Sequence, residues 1–482
     1  MSQGWLSNIG GRALLPIVIR RGMKFLEERN IADKQEKLLK EKIKNAGKSN
    51  IGKKIGLEPH SSFERVPLTT YSFYKNYYLN PVEGDFMYPL SEYLKVYTSG
   101  SMGKPKTFLI PKKGMMDNMA KTSLSLFVLT THDGEKVQWK AGDTMFRNAP
   151  GGSFMSGFYS HFSDSDQSFL VRRVPEVEMS YQKKIDYFVE NYRDIDVAYM
   201  NVSALLDEIY PRIGEKFHLK GLMTQDVSAR SLKNDIMDVT GTYPKTVYGS
   251  TETFIVGLPS IEYPGAFFID WRVVYSEFIP ENEALNIEEE TADDPPDTVP
   301  LMDVEVGKRY QYVATPFKND ITRYVTSDIF ECVSRSDSIL GIDQPIFYFY
   351  GRADRLISIC NFTRISEDEI LNALRDAGIP SVEFTARVEL HGNKEYMVLY
   401  LELSTLMGAE EVTTRLHEAL LEVDKDWASL TEYMKYTPLK VHLLPRGSFQ
   451  RYLGKKDGLP KIERIEMKKE RLNLLLSSGY EP

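Results

Sequence analysis

Four short stretches carry residues whose types and spacing could do chemistry. Residues 98–106 read TSGSMGKPK, in which Thr98, Ser99 and Ser101 bring hydroxyls, Gly100 and Gly103 leave the backbone open, and Lys104 and Lys106 bring charge. Directly after the strand-like run SEYLKVY, such a loop suits a phosphate. Small residues let backbone N–H groups approach the anion, hydroxyls add donors, and lysine supplies the counter-charge. Taken alone, the same residues also make an ordinary turn. TVYGSTETF, 246–254, sets Tyr248, Gly249, Ser250, Thr251 and Glu252 at the end of a short strand, where an aromatic face and a carboxylate could meet a purine and a metal ion. RYVTSD ends a β-run on Asp328, placed to hold a ribose diol, and FYFYGRAD ends another on Gly-Arg-x-Asp, with the arginine at Arg352.

Spacing excludes several other chemistries. A P-loop needs a glycine, four residues and then Gly-Lys-Ser/Thr, whereas the loop ends in Gly103-Lys104-Pro105; the Gly-Lys-Ser at 47–49 has no glycine at the required upstream position. The sequence contains no G-x-G-x-x-G opening a helix after a strand, no H-E-x-x-H, no G-x-S-x-G elbow and no paired C-x-x-C. Seven histidines are scattered without ligand spacing; His161, after APGGSFMSGFYS, is the one placed to line a pocket, and a structural role is the expectation even there. Cys332 and Cys360 are too few for a disulfide framework and suit a reducing, cytoplasmic setting, with Cys332 expected in the core. The net charge of −8 includes eight acidic residues and no basic one in 281–300, so the chain carries no basic field to attract nucleic acid.

These stretches must be positioned by a large core, which 482 residues at 42% hydrophobic content can build. Residues 12–46 read as helix, with Gly47 as its stop; ALLPIVI at 13–19 is too short to span a bilayer, so no transmembrane segment is expected. From about residue 93 strands and helices alternate, as in IDVAYMNVSALLDEIY and KGLMTQ…SLKNDIMDVTG, which argues for parallel sheet. Between 265 and 350 shorter runs give a β-rich, mixed or barrel-like subdomain interrupted by the acidic loop 281–300. After that come a helix over SEDEILNALRDAGI, a hairpin centred on 391–394 and a helix over EVTTRLHEALLEV. The predicted fold class is α/β: a large N-terminal domain, 1–354, of mixed and parallel sheets with flanking helices, and a small mobile α+β lid domain, 355–482.

Ser-Gly-hydroxyl-x-Gly-x-Pro-Lys, Tyr-Gly-Ser-Thr-Glu, a hydroxyl-x-Asp strand end and Gly-Arg-x-Asp, in that order, resemble the adenylate-forming superfamily of acyl-CoA synthetases, adenylation domains and luciferases. Within it the chain looks most similar to the acyl-acid amido synthetases, the plant auxin- and jasmonate-conjugating enzymes and their bacterial relatives. KSNIGKKIGL, FERVPLTTYSFYKNYY, YSEFIP, MDVEVGKRYQYVATPFKNDITRYVTSD and GSFQRYLGKKDGLPKIER carry that closer likeness, which covers nearly the whole chain.

The resemblance implies ATP and Mg²⁺. Thr98, Ser99, Gly100, Ser101, Gly103 and Lys106 would cradle the phosphates, with Met102 where a threonine is common. Tyr248 would stack beside adenine, flanked by Gly249 and Ser250; Thr251 would reach the α-phosphate and Glu252 would hold Mg²⁺. Asp328 would grip the ribose and Arg352 would assist, with Ser327 in place of the usual glycine before Asp328. The hinge would lie at Asp354 or Arg355, and Ser358 and Asn361 depart from the lysine and glycine frequent in acyl-CoA synthetases. Lys461 would be the lid lysine that bridges carboxylate and α-phosphate, with Lys455 and Lys456 as competitors. The expected activity is ATP-dependent adenylation of a carboxylic acid, then acyl transfer to an amine, most simply an amino acid. Thioester formation with CoA and a catalytically silent nucleotide-binding relative are the alternatives.

Overall fold

A computed structural model describes residues 14–478, apart from 59–61, 98–105, 149–169, 203, 227–228, 286–295, 354–355, 358, 360–364, 392–393, 424–426, 428–430, 432–435 and 455–461. The backbone divides into two compact units, Met1–Phe349 and Tyr350–Pro482.

The runs YLKVY and TFLIP pair as an antiparallel hairpin, β1 (Tyr93–Tyr97) with β2 (Thr107–Pro111), Tyr97 opposite Thr107. The serine- and glycine-rich loop is their connection. The helical run that follows, Lys112–Thr130, leads into the alternating region, where β3 (Asp143–Arg147), β4 (Val171–Val174), β5 (Val197–Tyr199), β6 (Gly221–Thr224) and β7 (Pro244–Thr246) form a parallel sheet in the order β4-β3-β5-β6-β7. All four residues of β6 are buried, as a strand covered on both faces requires. Phe146 and Leu222 from this sheet meet Ile185, Phe188, Leu205 and Ile236 from the following helical segments in one apolar cluster.

A second sheet starts immediately afterwards. β8 (Tyr248–Ser250), β9 (Phe254–Pro259), β10 (Phe267–Ile269), β11 (Val274–Pro280), β12 (Val299–Pro300), β13 (Arg309–Pro316), β14 (Tyr324–Ser334) and β15 (Ile346–Arg352) lie in the order β12-β11-β13-β14-β15-β10-β9-β8. The β-rich region is thus one eight-stranded sheet that reaches back to 248, beyond the expected 265–350. Gly257 hides the earlier strand from a periodicity reading. It pairs with Tyr248, and a Cβ there would lie 2.6 Å from Tyr248 Cβ and 2.7 Å from Phe267 Cδ2. Two aromatic rings occupy the space its side chain would need, and they stack on each other at 5.3 Å and 14°. The acidic loop joins β11 to β12, which pair with Glu277 opposite Pro300; residues 286–295 lie outside the described set.

The predicted N-terminal helix is interrupted. Residues 14–23 are helical, Lys24–Glu27 tighten into a 3-10 turn, Glu28 is extended (φ −71°, ψ 128°), and a new helix runs from Ile31 to Ala46. Glu28 Oε1 accepts the Asn30 N–H at 2.9 Å and closes the break, a local device that apolar spacing does not signal. Gly47 does end the second helix, but in right-handed conformation (φ −62°). Its need is space: a Cβ would sit 2.3 Å from the Leu57 carbonyl oxygen.

In the second unit the helix Glu367–Asp376 opens with a capping box, Ser366 Oγ accepting from Glu369 N while the Glu369 carboxylate accepts from Ser366 N. β16 (Ser381–His391) and β17 (Lys394–Leu403) form the expected hairpin with His391 opposite Lys394. After the helix Ala409–Val423, β18 (Leu439–Leu444) pairs parallel with β17. Ile370, Leu374, Phe384, Leu399, Leu416 and Trp427 fill the core between sheet and helices. Among the described residues no helix is long and apolar enough to cross a membrane.

Candidate nucleotide and metal site

The Tyr-Gly-Ser-Thr-Glu stretch folds as a tight reversal between β8 and β9. Gly249 is required there, since a Cβ would lie 2.6 Å from the Phe254 carbonyl oxygen. Ser250 Oγ accepts the Thr253 N–H at 3.2 Å and sits 3.0 Å from Thr253 Oγ1, so the hydroxyls of the motif close the turn. Phe254 completes it with φ 63°, a left-handed conformation that costs a non-glycine residue about 1–2 kcal/mol. That strain persists because the Phe254 ring is buried with Tyr74, Tyr78, Ile321 and Tyr324. The reversal holds Thr251 and Glu252, both half-buried, at its tip.

Tyr248 and Asp328 meet. The Tyr248 hydroxyl donates to Asp328 Oδ2 at 2.6 Å, and burial together with the Asp328 charge pushes the phenol pKa well above its ordinary value, so the proton stays on Tyr248. The ring is only 7% exposed, stacked on Phe267 and edge-on to Tyr312 and Phe330. The ring is thus packed against neighbouring strands of its sheet, with its hydroxyl on the Asp328 carboxylate. A hydrogen bond to a charged group is worth about 1.5–3 kcal/mol. Tyr248→Phe is expected to raise the ATP concentration for half-maximal pyrophosphate exchange by about tenfold, leaving the requirement for acid unchanged. An unchanged ATP dependence would remove the orienting role.

Glu252 is held from two directions. Asn319 Nδ2 donates to the Glu252 carbonyl oxygen at 2.8 Å, and the Tyr324 hydroxyl lies 3.4 Å from Glu252 Oε1. Burial, then the nearby Glu252 charge, pushes the Tyr324 pKa well above normal, so this hydroxyl too is a donor at neutral pH. Its contact is long for O–H···O, and among the described residues the carboxylate takes no shorter bond. A half-buried carboxylate with spare capacity next to a threonine hydroxyl is a hard-oxygen donor set. Among the described residues no three His, Cys, Asp or Glu side chains cluster for an all-protein metal cage. One carboxylate completed by substrate phosphates is how Mg²⁺ is ordinarily held, so the residues present fit that ion.

Asn319 and Tyr324 bracket the segment between β13 and β14. Arg323 anchors this segment, 5% exposed with φ 45°, donating to Glu277 Oε1 at 2.9 Å, Glu277 Oε2 at 3.1 Å, Glu64 O at 2.8 Å and Val66 O at 2.6 Å. Thr322 N donates to Tyr74 Oη at 2.9 Å, and Thr69 Oγ1 donates to Thr322 O at 2.7 Å. This cross-linked turn fixes Tyr324 at the head of β14, four residues before Asp328.

Lys106 stands at the exit of the first loop, its ammonium 5.1 Å from the centre of the Tyr71 ring. The Tyr71 hydroxyl accepts the Thr107 N–H at 3.0 Å and lies 3.2 Å from Thr107 O, which fixes the first residue of β2. Arg352 is the last residue of β15. Cys332 is buried in β14, as expected. Thr98, Ser99, Gly100, Ser101, Met102, Gly103, His161, Asp354, Arg355, Ser358, Cys360, Asn361, Lys455, Lys456 and Lys461 lie outside the described residues.

The fold is that of adenylate-forming ligases. The fold superposes on the acyl acid amido synthetase GH3.15 with a TM-score of 0.69, 14% identity and coverage of 95% of this chain and 96% of that one. It superposes on 2-hydroxyisobutyryl-CoA ligase in its postadenylation state with a TM-score of 0.61, 16% identity and coverage of 96% and 91%. Residues 267–352 match the GH3 family central domain and 368–465 the GH3 family C-terminal domain. Indole-3-acetic acid-amido synthetase GH3.3 of Arabidopsis thaliana is 26% identical over 224 residues, 42% of this chain and 35% of that protein. Jasmonoyl-L-amino acid synthetase GH3.5 of Oryza sativa subsp. japonica is 27% identical over 195 residues, 38% and 32%. The aligned part thus spans about a third of the length of these curated relatives. Two stretches of the chain thus resemble GH3 domains, and the backbone has the fold of an acyl acid amido synthetase.

Asn319, Tyr324 and Arg323 were not singled out by residue type. They sit in the string KNDITRYVTSD, whose density of hydroxyl, amide and charged groups between two strong β-runs was the available signal. Their partners include Lys42, Glu64, Val66, Glu252, Glu277 and Thr298, and no local spacing announces such pairings.

Proposed function

We propose that this protein joins a carboxylic acid to AMP at the expense of ATP and then transfers the acyl group to an amine, most simply an amino acid, forming an amide. The observation that carries the reading is the Glu252 turn, held through Asn319 and Tyr324 in the same sheet as the Tyr248–Asp328 pair, which gives one surface carboxylates for both a phosphate-bound cation and a ribose. The GH3 domains and the synthetase fold support it.

In this reading the substrate carboxylate attacks the α-phosphorus of ATP, forming the acyl–O–P bond as the bond to pyrophosphate breaks. A carboxylate is already a nucleophile at neutral pH, so the step needs no general base. Thr251 donates to the α-phosphate, Asp328 accepts from the ribose hydroxyls, and Lys106 with the hydroxyls and amides of 98–103 receives the β- and γ-phosphates. Mg²⁺ at Glu252, when bound, would offset charge developing on the leaving pyrophosphate. Residues 355–482 serve as a lid hinged at Asp354 or Arg355, bringing Lys461 to the reacting oxygens and excluding water. An amine then attacks the mixed anhydride, expels AMP and loses a proton, giving the amide.

The test is ATP–pyrophosphate exchange across a panel of carboxylic acids, followed by mass analysis of products formed with mixed amino acids or CoA. Acid-dependent exchange and an amide mass are expected. A thioester mass would replace the second step with CoA ligation. Measurable ATP binding without exchange for any acid would sink the catalytic reading.

A further inference from the structure

Beneath the Glu252 turn lies a cation that the proposed reaction does not use. Lys42, on the helix Ile31–Ala46, is 1% exposed. Its ammonium donates to the carbonyl oxygens of Asn319 and Ile321, the latter at 3.2 Å, and lies 3.7 Å from Met87 Sδ. Between those carbonyls stands Asp320, also buried, whose carboxylate accepts the Met87 N–H at 2.7 Å and the Tyr93 hydroxyl at 2.7 Å. Burial draws the Lys42 pKa down to about 8, which leaves the ammonium charged at neutral pH. Burying a charge is no efficient route to stability, since well-packed apolar side chains of similar volume do as well or better. What an apolar side chain cannot do is tie down the Asn319 and Ile321 carbonyls, two residues apart in one turn.

That turn presents the Asn319 amide to the Glu252 backbone at 2.8 Å. It is also bound, through Asp320 and Tyr93, to the first residue of β1, the strand that leads into the 98–106 loop. We propose that Lys42 is a positioning residue for the divalent cation: by fixing the Asn319–Ile321 backbone it aims Asn319, which in turn sets the Glu252 carboxylate. The chain of contacts is Lys42 Nζ to Asn319 O, then Asn319 Nδ2 to Glu252 O. This inference rests on the reading of Glu252 as the cation ligand.

The experiment measures Mn²⁺ binding in the presence of ATP and without acid, by water-proton relaxation, alongside urea unfolding of the same full-length variants. Asn319→Ala, which leaves Lys42 and the backbone carbonyls it binds in place, and Lys42→Met are each expected to weaken Mn²⁺ about 5–20-fold, the loss of one to two kilocalories of hydrogen-bond positioning. Because both act through one link, the double variant is expected to bind Mn²⁺ no more weakly than the worse single. Unchanged Mn²⁺ affinity in Asn319→Ala, or in folded Lys42→Met, overturns the proposal, as does additivity in Mn²⁺ binding. Should Lys42→Met not fold, Lys42→Arg takes its place in the cycle. A wild-type protein that binds Mn²⁺ no better than Glu252→Ala would instead remove the metal reading of Glu252.

Discussion

Glu252→Ala is expected to abolish acid-dependent pyrophosphate exchange, a loss of about 10²–10³-fold or more, while the protein stays folded. The magnitude is that of removing one preorganised electrostatic contact from a transition state whose charge moves onto the leaving group. Retention of the fold follows from how the residue is held. The Asn319 bond goes to the Glu252 backbone and survives truncation, and the carboxylate gives up only its long contact to the Tyr324 hydroxyl. A half-buried side chain with so few partners should change stability by about 0.5 kcal/mol or less. Exchange assays with matched circular dichroism spectra and urea midpoints check both halves. Turnover near the wild-type rate would place the metal elsewhere.

The largest effect on stability is expected at Arg323. Arg323→Ala strips a buried carboxylate, Glu277, of its charged partner and leaves the carbonyls of Glu64 and Val66 without their guanidinium donor. Removing one member of a buried ion pair costs about 3–5 kcal/mol, because the remaining charge stays desolvated. Part of this should return in the double variant Arg323→Ala, Glu277→Gln, which no longer buries an unpaired charge. Equilibrium urea unfolding of the full chain measures it. A shift equivalent to less than about 1 kcal/mol, typical of exposed pairs, would mean that water reaches this bridge. Exchange activity should fall in Arg323→Ala beyond what unfolding explains, since the same turn carries Asn319 and Tyr324.

Much of this architecture was legible from local pattern. Alternating apolar runs and amphipathic segments announced the parallel sheet because a strand buried on both faces must be apolar throughout. The hairpin at 391–394 and the helix after Ser366 were equally plain, since a turn or a capping box is written in adjacent residues. The strand β9 was not, because Gly257 replaces a side chain with two rings contributed by other strands. Nor was the break at Glu28, where the helical period runs on across an extended residue.

The sequence by itself determined which chemistry is on offer. Tyr-Gly-Ser-Thr-Glu, the strand-end Asp328, Gly-Arg-x-Asp and a hydroxyl- and glycine-rich loop are short motifs whose donors and acceptors are set by residue type, and their order is read directly from the chain. Only the tertiary structure decided how those groups are aimed. It buried Tyr248 as a donor to Asp328, brought Lys42 to the carbonyls of Asn319 and Ile321 from 277 and 279 residues away, and set Asn319 and Tyr324 against Glu252. The physical reason is that a buried polar group must find its partner wherever the fold supplies one, and hydrogen-bond satisfaction in a core is a condition on space rather than on sequence separation.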